Sequence, residues 1–171
     1  MGIRTIIFRG KRIDNGEWIE GYLVKLGRES FSDPERYGIC NKAIPLGGSG
    51  VCYNLKIDEV IPETVGQYTG LTDRNGKPIF EGDIIKSGSY EFLVSHGKCG
   101  GCANTDNYGY IGFHLEPANE ETKFHMDHGL RDDIYYYTGY YAEAEVMGNI
   151  HDNPELLKGG EGGCLNINIK F

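Results

Sequence analysis

Apolar and polar positions alternate along much of this chain, and Gly, Asn and Asp interrupt the alternation at short intervals. The first such stretch is IIFRGKRIDNGEWIEGYLVKL, residues 6–26. Ile6 and Phe8 alternate with Ile7 and Arg9; Trp18, Tyr22 and Val24 recur among polar or small residues. A period of two places successive side chains on opposite faces of a strand. Asp14-Asn15-Gly16 lies between the runs, and Asn-Gly supplies the positive φ angles of a tight hairpin. Strands are expected near 4–9 and 17–25.

The pattern repeats in TGLTDRNGKPIFEGDIIK, residues 69–86. Asp73-Arg74-Asn75-Gly76 forms a second Asn-Gly turn, and Lys77-Pro78-Ile79-Phe80 returns antiparallel. Pro78 donates no backbone hydrogen bond, so this arm belongs at a sheet edge. Glu81-Gly82-Asp83 bends the chain into the strand Ile84-Ile85-Lys86. Ser87-Gly88-Ser89 then turns it into Tyr90-Glu91-Phe92-Leu93-Val94. Other segments are less regular. Residues 27–56 are polar and turn-rich, with a Gly-Gly-Ser-Gly loop before Val51-Cys52-Tyr53. SHGKCGGCANTDN (95–107) and PANEETKFHMDHGLRDD (117–133) read as long loops around the strand-like YGYIGFHLE. Tyr135 to Met147 returns to β character. Asn153-Pro154-Glu155 marks a one-turn helix, with Asn as cap and Pro at the first helical position. The stretch 158–171 is a Gly-rich linker followed by strict alternation of Leu165, Ile167, Ile169 and Phe171. Such a strand can add to an open sheet edge of its own or of a neighbouring chain.

Composition supports short strands and tight turns: the 171 residues include 26 Gly, and 12 Tyr against 7 Phe. The net charge of −8 argues against non-specific nucleic-acid binding, which needs surplus Lys and Arg to displace counterions. The locally basic Arg4, Arg9, Lys11 and Arg12 keep that reading open, beside the simpler one of a charged, pairing-resistant edge. No apolar run approaches the roughly 20 residues that span a bilayer. The first residues lack a signal-peptide pattern, so the expectation is a cytoplasmic protein with reduced thiols.

One constellation could carry metal chemistry. Cys99, Cys102, His125 and His128 form Cys-x2-Cys followed by His-x2-His, the two thiolates and two imidazoles that tetrahedral zinc takes. The 22 residues between the pairs and the short His spacer depart from a zinc finger. His96 competes as a ligand, and a polar loop holding reduced thiols is the alternative. Redox use of Cys99 and Cys102 would need a helix start in an α/β fold, which the pattern lacks. His151-Asp152 fits the start of the short helix better than a hydrolase site. Tyr135, Tyr136, Tyr137, Tyr140 and Tyr141 could stack bases, but the neighbouring acids favour a protein-binding surface. Cys40, Cys52 and Cys164 belong to no motif.

Three blocks occur in order: FRGKRIDNGEWIEG, QYTGLTDRNGKPIFEGDIIK and VMGNIHDNPELL. Together they resemble the YopX family of phage and prophage proteins, and they span residues 8–157. The resemblance implies a mainly β fold: a small SH3-like barrel with additional N-terminal strands and a short C-terminal helix. The expected organisation is a β-rich segment at 1–64, the barrel at 65–157, and a linker with a terminal strand at 158–171. The TGL…EGDII block would open the barrel and GNIHDNPELL would close it. The family has no established molecular function and offers no catalytic residues. The reading is therefore a non-enzymatic phage or prophage accessory protein without a cofactor, binding a host or phage protein in the bacterial cytoplasm. Self-association through 164–171 is a further expectation. The alternative is a zinc-stabilised regulatory module contacting nucleic acid. Asp73 and Asp83 are expected to bond local backbone N–H groups, and Gly82 to hold a conformation that costs other residues roughly 1 kcal/mol or more, with the prediction that Gly82→Val unfolds the protein.

Overall fold

A computed structural model describes residues 5–28, 30–46, 52–99, 110–127, 134, 143–159 and 163–164. The chain divides into two units, Met1–Tyr68 and Thr69–Phe171. The described residues are mainly β, arranged as antiparallel sheets.

In the first unit, β1 (Phe8–Lys11) and β2 (Trp18–Leu26) form the expected hairpin, closed at Lys11↔Trp18. The Arg12 N–H donates to the Glu17 carbonyl at 2.9 Å, and Gly16 takes φ +72°. The first strand starts at Phe8 rather than near residue 4. β3 (Arg36–Leu46) and β4 (Cys52–Val60) follow as a long hairpin, where the sequence pattern suggests only a polar, turn-rich stretch. The order runs β4-β3-β2-β1, and β1 also pairs with the start of β5 (Gly66–Thr72). An isolated bridge, Arg12↔Val60, ties the end of β4 back to the chain after β1. The core of this unit is small: Ile19, Ile39 and Val60, flanked by Leu23, Tyr37 and Val65. The buried Thr64 hydroxyl donates to the Ile61 carbonyl and accepts from the Lys11 N–H.

The second unit takes up the end of β5, whose neighbour in the sheet order is β6 (Pro78–Phe80). β6 ends that order, which is the edge position expected from Pro78. β7 (Asp83–Ser87), β8 (Tyr90–Cys99), β9 (Tyr110–Pro117) and β10 (Glu145–Asn149) form a second sheet in the order β10-β7-β8-β9. Among the described residues this order is open and closes no barrel. Both faces are covered. Ile79, Ile85, Phe92, Val94, Leu115 and Val146 build one core; Ile84, Leu93 and Ala118, with Ile150 and Leu156, build another. That is why Ile84-Ile85 and Phe92-Leu93-Val94 are continuous apolar runs rather than alternating ones.

Three local expectations are corrected. Residues 95–99 extend β8 instead of starting a loop. The polar stretch after β9 contains the helix α1 (Glu120–Asp127). Asn119 caps it: its Oδ1 accepts the Thr122 N–H at 2.8 Å, and Glu120 and Glu121 favour the positive helix end. The 3₁₀ turn Pro154–Leu157 is present, but the Asn153 side chain faces backwards and accepts the Asn149 N–H. Two short strands complete the described elements, β11 (Lys158–Gly159) and β12 (Gly163–Cys164), paired with each other.

Candidate interaction surface

The hairpin β3–β4 outruns its neighbour. β2 pairs with β3 only from Leu26↔Arg36 to Tyr22↔Cys40, whereas β3 and β4 stay paired as far as Leu46↔Cys52. The outer half is a two-stranded ribbon whose residues 41–45 and 53–57 are all exposed. A β-bulge at Asn41, between the Cys40↔Ile57 and Lys42↔Lys56 pairs, sits where the ribbon leaves the sheet.

The register sorts the ribbon into two faces. Ala43, Pro45, Tyr53 and Leu55 share one, which continues through Cys40, Ile57 and Tyr22. Tyr22 is 59% exposed, Tyr53 55% and Leu55 53%. The opposite face carries Ile44, Asn54 and Lys56. Ile57 lies across Gly38, where an added Cβ would sit 2.5 Å from the Ile57 Cγ2. The sequence signal for this face is the alternation Tyr53-Asn54-Leu55-Lys56-Ile57, which the surrounding turn residues obscure.

Ion pairs clamp the base of the hairpin. Arg36 grips Glu59 through two bonds of 2.7 Å, which hold the Glu59 carboxyl below its usual range. Hydrogen bonds from Lys25 and Tyr37 pull the Glu35 carboxyl down to about 2, with Arg28 contributing less. The hydrogen bond to Glu35 in turn raises the Tyr37 hydroxyl.

Only some of the sequence-derived candidates fall on described residues. His125 lies on α1, its ring 5.2 Å from Tyr90, at the start of β8. Cys99 ends the same strand nine residues later. The Cys99 side chain, Cys102 and His128 lie outside the described residues, as do Arg4, residues 47–50, Tyr135, Tyr136, Tyr137, Tyr140 and Tyr141, and residues 165–171 of the expected terminal strand. His96 stacks edge-on against Phe113. Among the described residues no group of three or more His, Cys, Asp or Glu is placed to hold a metal. Cys40 is a half-buried thiol directed to the Lys42 carbonyl. In the basic N-terminal stretch, Arg9 and Lys11 lie over the Trp18 ring at 4.8 and 5.4 Å, and Arg12 pairs with Asp14 and Asp58.

The opening turn of the second unit does backbone work. The Asp73 carboxylate accepts N–H bonds from Asn75 and Lys77, as expected, and also from Val146, which the sequence did not show. Burial raises its pKa, but these three donors outweigh burial and hold it below the usual Asp value. Asp83 accepts the Phe80 N–H. Gly82, at φ +81°, donates to the Val94 carbonyl and accepts from the Ile150 N–H. Asn149 holds the His151-Asp152 turn by accepting both their N–H groups.

One pair has no signal in the sequence. His114, buried on β9, bonds Glu116 at 3.3 Å through Nε2, and the hydrogen bond from His114 keeps Glu116 below its usual range. The Ser95 side chain also bonds Glu116 and lowers its carboxyl further.

These features define an antiparallel β protein with a projecting apolar ribbon. The family model described as YopX protein matches residues 7–158, and the chain belongs to that family. Comparison with curated proteins returned no match. Among solved structures, the chain is similar to protein EF1440 from Enterococcus faecalis, with 22% identity over 90% of this chain and 99% of that one and a TM-score of 0.47. No helix among the described residues is long and apolar enough to cross a membrane.

Proposed function

We propose that this protein is a non-enzymatic interaction module of a phage or prophage, acting on a host or phage protein in the bacterial cytoplasm. The observation that carries the reading is the β3–β4 ribbon, exposed on both faces and rich in large apolar side chains. A lone two-stranded ribbon is marginal in water, and exposed Tyr, Leu and Ile on one face favour a partner that covers them. Aromatic and aliphatic anchors are also what protein interfaces concentrate. On this reading the partner presents a complementary apolar surface, and the clamped base holds the ribbon in position. The second unit packs its own β core, and we assign to it the SH3-like barrel that the family resemblance implies.

The test is affinity capture from infected or lysogenic cells with the wild-type chain and with a Tyr53→Lys/Leu55→Lys variant, followed by titration of the recovered protein. Binding weakened at least tenfold in the variant supports the reading. Equal binding by both chains refutes it. The same preparations, kept free of chelator, go into native mass spectrometry. A zinc-sized adduct lost on Cys99→Ser would favour the metal-stabilised module instead.

A further inference from the structure

β4 is the outermost strand of its sheet. Along a strand, alternate residues turn their N–H and C=O groups to the same side. Glu59 and Ile61 turn theirs away from β3: the Glu59 carbonyl accepts from the Ile13 N–H, and the Ile61 N–H donates to the Lys11 carbonyl. β4 has no bulge of its own, because the register shift falls on β3. The same parity therefore points the backbone of Tyr53, Leu55 and Ile57 outward. Beyond the stretch tied to Lys11 and Ile13, residues 52–58 form an edge with no proline and no covering element among the described residues. Such an edge is a template for another strand.

We propose that this edge accepts residues 165–171 of a second copy of the chain, so that two copies exchange strands. The segment LNINIKF is long enough to cover the free part of the edge, whose outward backbone groups belong to Tyr53, Leu55 and Ile57. Its period also matches. Leu165, Ile167, Ile169 and Phe171 would extend the face of Tyr53, Leu55 and Ile57, while Asn166, Asn168 and Lys170 would continue the face of Asn54, Lys56 and Asp58. A parallel alignment that starts with Leu165 beside Tyr53 sets Ile167 beside Leu55 and Ile169 beside Ile57, puts Asn166 and Asn168 beside Asn54 and Lys56, and leaves Asp58 with its partners Arg12 and Lys56. Charge also explains how chains of net charge −8 can associate: the segment carries one Lys and no acid, and the edge carries Lys56 and Asp58. Reciprocal exchange fills both edges and closes the pair at two copies. This inference uses the backbone edge and stands apart from the partner reading, which uses the faces of the ribbon.

The experiment is native mass spectrometry of three chains: full length, truncated after Cys164, and full-length Leu55→Pro. The Leu55 nitrogen faces away from β3, so proline there removes an outward donor and leaves the β3–β4 ladder intact. Unchanged circular dichroism confirms that the variant is folded. We expect two copies for the full chain and one for each variant. A labelled 165–171 peptide should bind the truncated chain, and at least tenfold more weakly when the truncated chain also carries Leu55→Pro. A single-copy full-length chain overturns the exchange, as does a truncated chain that still pairs, which would show that the edge joins its own kind. If Leu55→Pro misfolds, Asn168→Pro in the segment replaces it, and a pair that survives that substitution likewise rejects the proposal.

Discussion

The β3–β4 hairpin of the first unit and the β7–β8 hairpin of the second are both antiparallel and both rich in apolar residues, yet they use them differently. In β7–β8, Ile84, Ile85, Phe92, Leu93 and Val94 are all buried, because the sheet is covered on both faces. In β3–β4, only the base is buried, through Ile39 and Val60; the outer half exposes Tyr53 and Leu55. The difference is written in the period. A continuous run such as FLV has a core on each side of its sheet, whereas the alternating YNLKI can satisfy at most one face. The β7–β8 hairpin supports the fold, and the β3–β4 hairpin presents a surface. Substitutions should therefore separate the two in stability and in binding.

The largest effect belongs to the covered hairpin. Phe92→Ala removes a fully buried ring from the core of the second unit and should cost about 3–5 kcal/mol. Urea unfolding measures it, and a loss below about 1 kcal/mol would erase the distinction between the hairpins. Next comes Asp73→Ala, which deprives three backbone N–H groups of their acceptor and should cost roughly 2–4 kcal/mol. The same carboxylate gives a pH signature. Its folded pKa lies below the unfolded one, so its contribution is present above about pH 4 and is lost as the pH falls through the folded value. Between about pH 6 and pH 3 the wild type should lose more stability than Asp73→Asn; parallel melting curves would show that the three bonds do not favour the charged form.

Gly82→Val should be smaller than sequence reasoning suggests. A Cβ there would meet Ile150 only at ordinary contact distance, 3.5 Å. The cost is then backbone strain at φ +81°, about 1–2 kcal/mol, seen as a lowered melting temperature in a chain that still folds. An unchanged melting temperature would show that the positive φ at Gly82 imposes no strain on valine. The smallest effect on stability belongs to the ribbon: Tyr53→Lys/Leu55→Lys should stay within about 0.5 kcal/mol of wild type while weakening partner capture. A large destabilisation would mean that the ribbon face is packed, and the comparison would fail.

Several elements are legible in the residues themselves. Both Asn-Gly turns, the edge position of Pro78 and the local bonds of Asp73 follow from residue chemistry within a few positions. Helix α1 carries a signal too, since Asn119-Glu120-Glu121-Thr122 pairs a cap with acids in the first turn; the polarity of the stretch hides it. The ribbon is concealed for another reason. Its strands are flanked by Gly, Ser and Asp, and the pairing of residues 36–46 with 52–60 appears only when both strands are present.

The sequence by itself determined the family, the β class, the turns and the alternation that marks one-faced strands, because each rests on contacts between near neighbours or on the order of short blocks. Tertiary structure alone decided which apolar residues are covered. It also decided that Asp73 reaches Val146 and that β3 and β4 run past β2 into solvent. Burial depends on what packs against a strand, and the partners that cover Ile85 or leave Leu55 bare are supplied by segments far away in the chain.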